Sequence, residues 1–114
     1  MVPDRRDVIW IDFNPQAGRE MRDVHPLVVL FPREFNGRTG IVIGLAMTTS
    51  SHNETHPFAA KSAGPKGVAS LILSHQPKSF EWRARKAKPR PPKKVPDDSY
   101  VRACESLEII DIAR

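Results

Sequence analysis

The sequence predicts one small domain, mainly β with a single C-terminal helix, built as a strongly bent sheet or barrel on which that helix packs. Three observations point there. Short β-branched and aromatic runs recur between Val8 and Arg85, bounded by Gly, Pro, Asn and Ser. Beyond Asp97 the pattern changes, with Val101, Cys104, Leu107 and Ile110 recurring at helical spacing. The length of 114 residues suits one domain spanning 1–114 and leaves no room for a separate catalytic unit. No GxGxxG, P-loop or internal repeat is present, which weighs against a nucleotide-binding α/β fold.

In order along the chain, Val8-Ile9-Trp10-Ile11 is a strand ending at Asp12-Phe13. Asn14 to His25 is polar, contains Gly18 and has no apolar period, so it reads as a long loop, and long loops often carry function. Leu27 to Phe31 reads as a buried strand, and Pro32 to Asn36 as one helical turn before an Asn36-Gly37 turn. Ile41 to Met47 is a third strand in which Gly44 marks a bulge or a close backbone approach. Thr48 to Pro57 is a polar loop, Phe58-Ala59-Ala60 a short strand and Ser62 to Gly67 a turn-rich stretch. Val68 to Leu73 and Phe80 to Arg85 read as two further strands, the second half-exposed. Lys86 to Pro96 holds four prolines and five basic residues and is expected as an extended connector. Asp97-Asp98 then offer N-cap chemistry to a helix over 97–112.

The net charge of +5 and a pI near 9.8 make a polyanion, nucleic acid or acidic protein, the natural partner to consider beside plain solubilising charge. The single Cys104 excludes an intramolecular disulfide and a Cys-rich zinc site, and its place on the helical apolar stripe marks it as a buried side chain. Met1 to Asp7 is charged, with no signal-peptide core, and no apolar run reaches the ~20 residues of a membrane span, so a soluble, cytoplasmic protein is expected. His52 and His56 are four apart but flanked by loop residues, without an HExxH glutamate, and no metal site or other cofactor is expected. The serines show no GxSxG elbow.

Metal-free phosphodiester chemistry on RNA remains. It needs an acid–base pair near the 2′-hydroxyl and the leaving 5′-oxygen, with donors for charge developing on the phosphate. The loop offers Arg19, Glu20, Arg22 and His25, and the strand end Met47-Thr48-Thr49 offers hydroxyls. Gln76, Lys78, Ser79, Arg83 and Arg85 surround Phe80 and Trp82, mixing cations with rings on which bases can stack. Core packing competes with stacking for Trp82, and an exposed strand face competes with phosphate contact for Arg83 and Arg85.

The run VIWIDFNPQAGREMRDVHPLVVLFPREFN resembles the opening half of MazF/PemK-family toxins. These typically show a Trp-containing strand, Asp-Phe-x-Pro, a Gly-x-Glu loop, then Arg-Pro before an apolar strand and a short helix. Trp10, Asp12-Phe13, Pro15, Gly18, Glu20, Pro26, Val28-Val29-Leu30 and Pro32 stand at matching positions. Thr48-Thr49, Pro57-Phe58 and HQPKSFEWRARKA continue the likeness, which covers roughly residues 7 to 87. The resemblance implies an SH3-like (CcdB/MazF/PemK) barrel with a C-terminal helix, paired as a homodimer whose groove holds single-stranded RNA. It implies metal-independent cleavage to 2′,3′-cyclic phosphate and 5′-hydroxyl ends. It also implies an acidic MazE/PemI-like antitoxin as partner, with which such toxins bind DNA.

By the same resemblance, Thr48, Glu20 and His25 take the catalytic positions. Gln76, Lys78 and Ser79 match a family segment expected to shape the groove, and Arg19, Arg22, Thr49, Trp82, Arg83 and Arg85 are further RNA-contact candidates on their chemistry. Three departures stand out: His25 where the family has its catalytic arginine, Arg6 in place of a glycine, and His75 in place of an aspartate. Histidine titrates near neutrality and serves as acid or base, but lacks the permanent charge and fork of arginine. Arg22, three residues upstream, is the alternative source of charge. A non-cutting RNA-binding module, or a gyrase poison like the related CcdB toxins, is the competing reading on the same fold.

Overall fold

Six strands and two helices follow in the order β1 (Asp7–Asp12), β2 (Val24–Val29), α1 (Arg33–Thr39), β3 (Ile41–Thr48), β4 (Ala59–Ala63), β5 (Ala69–Glu81), β6 (Lys88–Lys94) and α2 (Asp97–Ile112). The computed structural model describes residues 1–14, 23–48, 59–63 and 69–112. The strands form one antiparallel sheet in the order β4-β5-β3-β2-β1-β6, with β4 and β6 at its edges. The two-residue period of the strands sorts the apolar side chains onto its two faces. Ile9, Ile11, Leu27, Val29, Val42 and Phe80 build one cluster with Phe13 and Trp82. Val8, Val28, Leu45, Met47 and Ile72 build the other, against Val95 of the following segment and Ala103 of α2. Burial on both faces explains why the first three strands read as continuous apolar runs.

Four elements differ from expectation. Val24 and His25, read as the end of the long loop, already belong to β2. The helix after Pro32 does not stop at Gly37. It runs to Thr39 and ends at Gly40, whose φ of 73° is the left-handed cap that only glycine adopts cheaply. Asn36 is therefore no turn residue. Its buried amide donates to the carbonyls of Pro3 (2.8 Å) and Phe31 (2.9 Å), pinning the N-terminal segment to α1.

The strands read at 68–73 and 80–85 are one strand, β5, of 13 residues. Leu45 pairs with Pro77 but Ala46 with Leu73, so Ser74-His75-Gln76 bulge out of the ladder and bend the strand. The Ser74 hydroxyl, buried, donates to the Ala103 carbonyl at 2.8 Å and ties the bulge to α2. The strand ends at Glu81, and Trp82 to Lys86 turn away from the sheet. The basic, proline-rich stretch expected as a connector pairs with β1 as β6. An edge strand tolerates missing N–H groups, which is why prolines survive there. Arg90 within it is 2 % exposed, and that burial lowers its basicity. In α2 the buried face runs through Ser99, Tyr100, Ala103 and Leu107, while Val101 is exposed and Cys104 half-buried. Burial raises the Cys104 thiol and so disfavours its thiolate.

The start of α1 is capped from a distance. Pro32 offers no side-chain acceptor, and Asp4 takes the Arg33 N–H at 3.0 Å and the Arg5 N–H at 2.8 Å. These bonds, the one from Arg33 foremost, hold the Asp4 carboxyl below its usual 3.8. A depressed folded value means that the stabilisation is complete above about 3.8 and is lost as pH falls through the lower folded value. Asp4→Asn is expected to remove part of the fall in thermal midpoint on acidification, followed by circular dichroism; an unchanged acid limb would contradict the capping role.

Candidate active site

The β2–β3 pairing sets the site. Leu27 lies opposite Ala46 and Val29 opposite Gly44. Carried two positions on, this register brings His25 level with Thr48, at one end of two adjacent strands and on the face of the first core cluster. Both side chains are half-buried. The His25 ring meets the fully buried Phe13 edge-on, with centroids 5.8 Å apart and planes at 75°. Phe13 packs against Phe80 at 4.9 Å, and the Arg85 guanidinium covers the Phe80 ring at 4.6 Å. His25, Phe13, Phe80 and Arg85 thus form one row of planar groups drawn from β2, the end of β1, β5 and the turn after it.

The chain leaves this row at Asn14 and returns at Asp23, and the two ends are clasped. The Asn14 amide donates to Asp23 Oδ1 at 3.0 Å, and the Asp23 N–H donates to Asn14 Oδ1 at 3.1 Å. The Phe13 N–H donates to the Asp23 carbonyl at 2.9 Å, and the Asn14 N–H to Asp12 Oδ1 at 2.9 Å. Asp23 sits at a φ of 65°, a left-handed conformation that Asp tolerates better than most residues. Arg85 closes the clasp, its Nη1 donating to the carbonyls of Asp12 (2.6 Å) and Asn14. Lys78, opposite Gly44, lies on the same face as Val42 and Phe80, and Gln76 sits in the adjacent bulge, its Nε2 3.5 Å from His75 Nε2.

This is an open surface with cations, a hydroxyl and an imidazole. A cleft of 390 Å³ lined by Met1, Val2 and Pro89 lies elsewhere. A polymer lying across a surface fits this arrangement better than a small molecule enclosed in a pocket. Residues 4–110 match the PemK-like, MazF-like toxins of type II toxin–antitoxin systems. The chain belongs to this family. The endoribonuclease toxin MazF of Escherichia coli K12 is 42 % identical over 88 residues, 75 % of each chain. A crystal structure of MazF from Deinococcus radiodurans matches with a TM-score of 0.85 and 29 % identity over 96 % of both chains. A MazE–MazF crystal structure from that organism matches at 0.79 and 28 %, also over 96 % of both.

The bent antiparallel sheet with its C-terminal helix is thus the SH3-like barrel of the MazF/PemK fold. Set on it, the residues singled out in the sequence divide. His25, Thr48, Lys78 and Arg85 gather around one face, with Gln76 beside it. Ser79 is opposite Ile43 and faces the other way. Trp82, expected to contact RNA, is instead 6 % exposed in the core, its indole N–H donating to the Asn36 carbonyl at 2.8 Å, so no ring face is free for a base. Arg83 lies over Trp82 at 4.4 Å and donates to the Gly37 carbonyl at 3.1 Å, which places it at the C-terminal end of α1, away from His25. Arg19, Glu20, Arg22 and Thr49, like His52 and His56, lie outside the described residues.

Phe80, read in the sequence as a stacking ring, joins the site through its packing on Phe13, while Phe13, Asn14 and Asp23 are members not singled out there as site residues. Phe13 was legible as part of the Asp-Phe motif, whereas nothing in the sequence links Asn14 to Asp23. Among the described residues no three His, Cys, Asp or Glu side chains group to hold a metal, and no helix is long and apolar enough to cross a membrane.

Proposed function

We propose that this chain is the toxin of a type II toxin–antitoxin pair and a metal-independent, sequence-selective endoribonuclease acting on single-stranded mRNA as a homodimer. The observation that carries this reading is the level placement of His25 and Thr48 on β2 and β3, within a fold whose Escherichia coli relative is an endoribonuclease toxin. In the proposed reaction the 2′-hydroxyl loses its proton, its oxygen bonds to the adjacent phosphorus, and the bond from phosphorus to the 5′-oxygen breaks. The products are a 2′,3′-cyclic phosphate and a 5′-hydroxyl, with the proton delivered to the leaving oxygen and no water consumed.

His25 is the group suited to take or give a proton, with Glu20 as its acid–base counterpart on the loop. The Thr48 hydroxyl and the Lys78 ammonium stabilise charge on the non-bridging oxygens. Arg19, Arg22, Thr49 and Gln76 contribute to holding the strand. The net charge of +5 also suits the acidic tail of a MazE/PemI-like antitoxin competing for the same surface. The proposed place of action is the cytoplasm, where mRNA is met.

Purified protein incubated with a long single-stranded RNA in EDTA is expected to cut at discrete sites, with cyclic phosphate at one new end and 5′-hydroxyl at the other. Cutting that depends on added magnesium would refute the mechanism. Intact RNA at high protein concentration, with binding that weakens as salt rises, would mean an RNA-binding module without the chemistry.

A further inference from the structure

We infer that Arg85 is a positioning residue of the site and not a phosphate contact: it fixes the chain at Asp12 and Asn14, which Asp23 clasps, and with it the row of rings that carries His25. The inference extends the nuclease reading above by assigning a residue to its geometry.

Three observations converge on one guanidinium. Its Nη1 is committed to two backbone carbonyls, Asp12 O and Asn14 O, the last residues of the chain before the loop. Its flat face rests on Phe80, which touches Phe13, which touches His25. The strand end that Arg85 holds is itself tied to Asp23 by the reciprocal Asn14–Asp23 bonds. With Nη1 on two backbone carbonyls and one face over Phe80, the guanidinium is engaged with the chain itself. What it fixes is the point from which the segment bearing Glu20 departs, together with the ring row that holds the imidazole.

A planar fork is required for this work. Lysine provides a charge but no face to lie on Phe80, so Arg85→Lys conserves charge without conserving the lock. The two roles therefore separate. A phosphate contact is restored by lysine, and its loss lowers the salt slope of RNA binding by about one. A positioning residue is not restored by lysine and leaves that slope unchanged.

The experiment compares wild type, Arg85→Ala, Arg85→Lys and Asn14→Ala. Cleavage is measured at the mapped site, and binding to the same RNA carrying a 2′-deoxy substitution there is titrated against salt. Trypsin nicking after Arg19 and Arg22 reports the state of the neck without reference to RNA. Both Arg85 variants and Asn14→Ala are expected to lower kcat by about 10- to 100-fold, the scale on which small misplacements act. Their salt slopes should equal that of wild type, and nicking should be several-fold faster than in wild type. Full activity in Arg85→Lys, or a salt slope reduced by one in Arg85→Ala, would overturn the inference. Should wild type leave RNA intact, the nuclease reading fails by itself, and unchanged nicking in Arg85→Ala would then be the result that overturns the lock. Asn14→Ala leaves Arg85 in place, so a folding failure of one Arg85 variant does not remove the test.

Discussion

Gly44→Ala is expected to cost about 3 kcal/mol or more of stability, at the upper end of what overpacking a core does. A Cβ at this position would lie 2.3 Å from the Val28 carbonyl oxygen, 2.8 Å from Leu27 Cγ and 2.9 Å from Leu27 Cδ2. The leucine tip can rotate only into a core where Leu27 is fully buried. The carbonyl cannot yield at all without breaking the β2–β3 ladder in which Val28 pairs with Leu45. A domain of this size holds only about 5–15 kcal/mol in total, so one methyl group would consume a large share. The midpoint of urea unfolding, with the m-value as a check on two-state behaviour, measures the loss. A change under about 0.5 kcal/mol would show that the strands separate more easily than their contacts indicate. The functional consequence follows from geometry. The β2–β3 register that Gly44 permits is the one that brings His25 level with Thr48, and a slip by one residue would turn either side chain to the opposite face.

Gly44 also shows what the sequence makes legible. A glycine inside an apolar β-branched run has no packing reason to be there, and the close approach inferred from it is what the structure contains. The same logic held for β1 to β3, whose two-sided burial leaves uninterrupted hydrophobic runs. It failed for β5, because His75-Gln76-Pro77-Lys78 interrupts the apolar pattern where a bulge, pinned by Ser74 to α2, carries the strand through. It failed for β6 as well, where the sheet accepts prolines because only one side of the strand needs its N–H groups. Burial of Arg90 inside that basic stretch has no sequence signature.

Within the site, His25 and Thr48 were legible from the motif they belong to. The clasp was not. The Arg85 bonds span 73 and 71 positions and end on backbone carbonyls, and any residue type supplies a carbonyl. Trp82 was ambiguous for a related reason: an aromatic beside arginines looks the same whether a base or the core receives it. The buried indole N–H bond to Asn36 resolves it toward the core.

Thr48→Ala is expected to abolish cutting, by at least about 100-fold, while leaving the fold and RNA affinity nearly intact. The side chain is half-buried at the last position of β3, so removing its hydroxyl and methyl opens no core cavity. His25 asks a sharper question, because the family places an arginine there. An arginine acts by fixed charge, and its contribution is flat with pH. An imidazole acting as base makes kcat/KM rise with pH as it gives up its proton, and plateau once it is neutral. Wild type is therefore expected to show that ascending limb, His25→Ala to lose about 100-fold or more in rate, and His25→Arg to recover cutting with the limb abolished. A flat wild-type profile would remove His25 from the proton transfer and return the role to Glu20. The position would then matter for shape alone, and His25→Arg would cut as well as wild type at every pH.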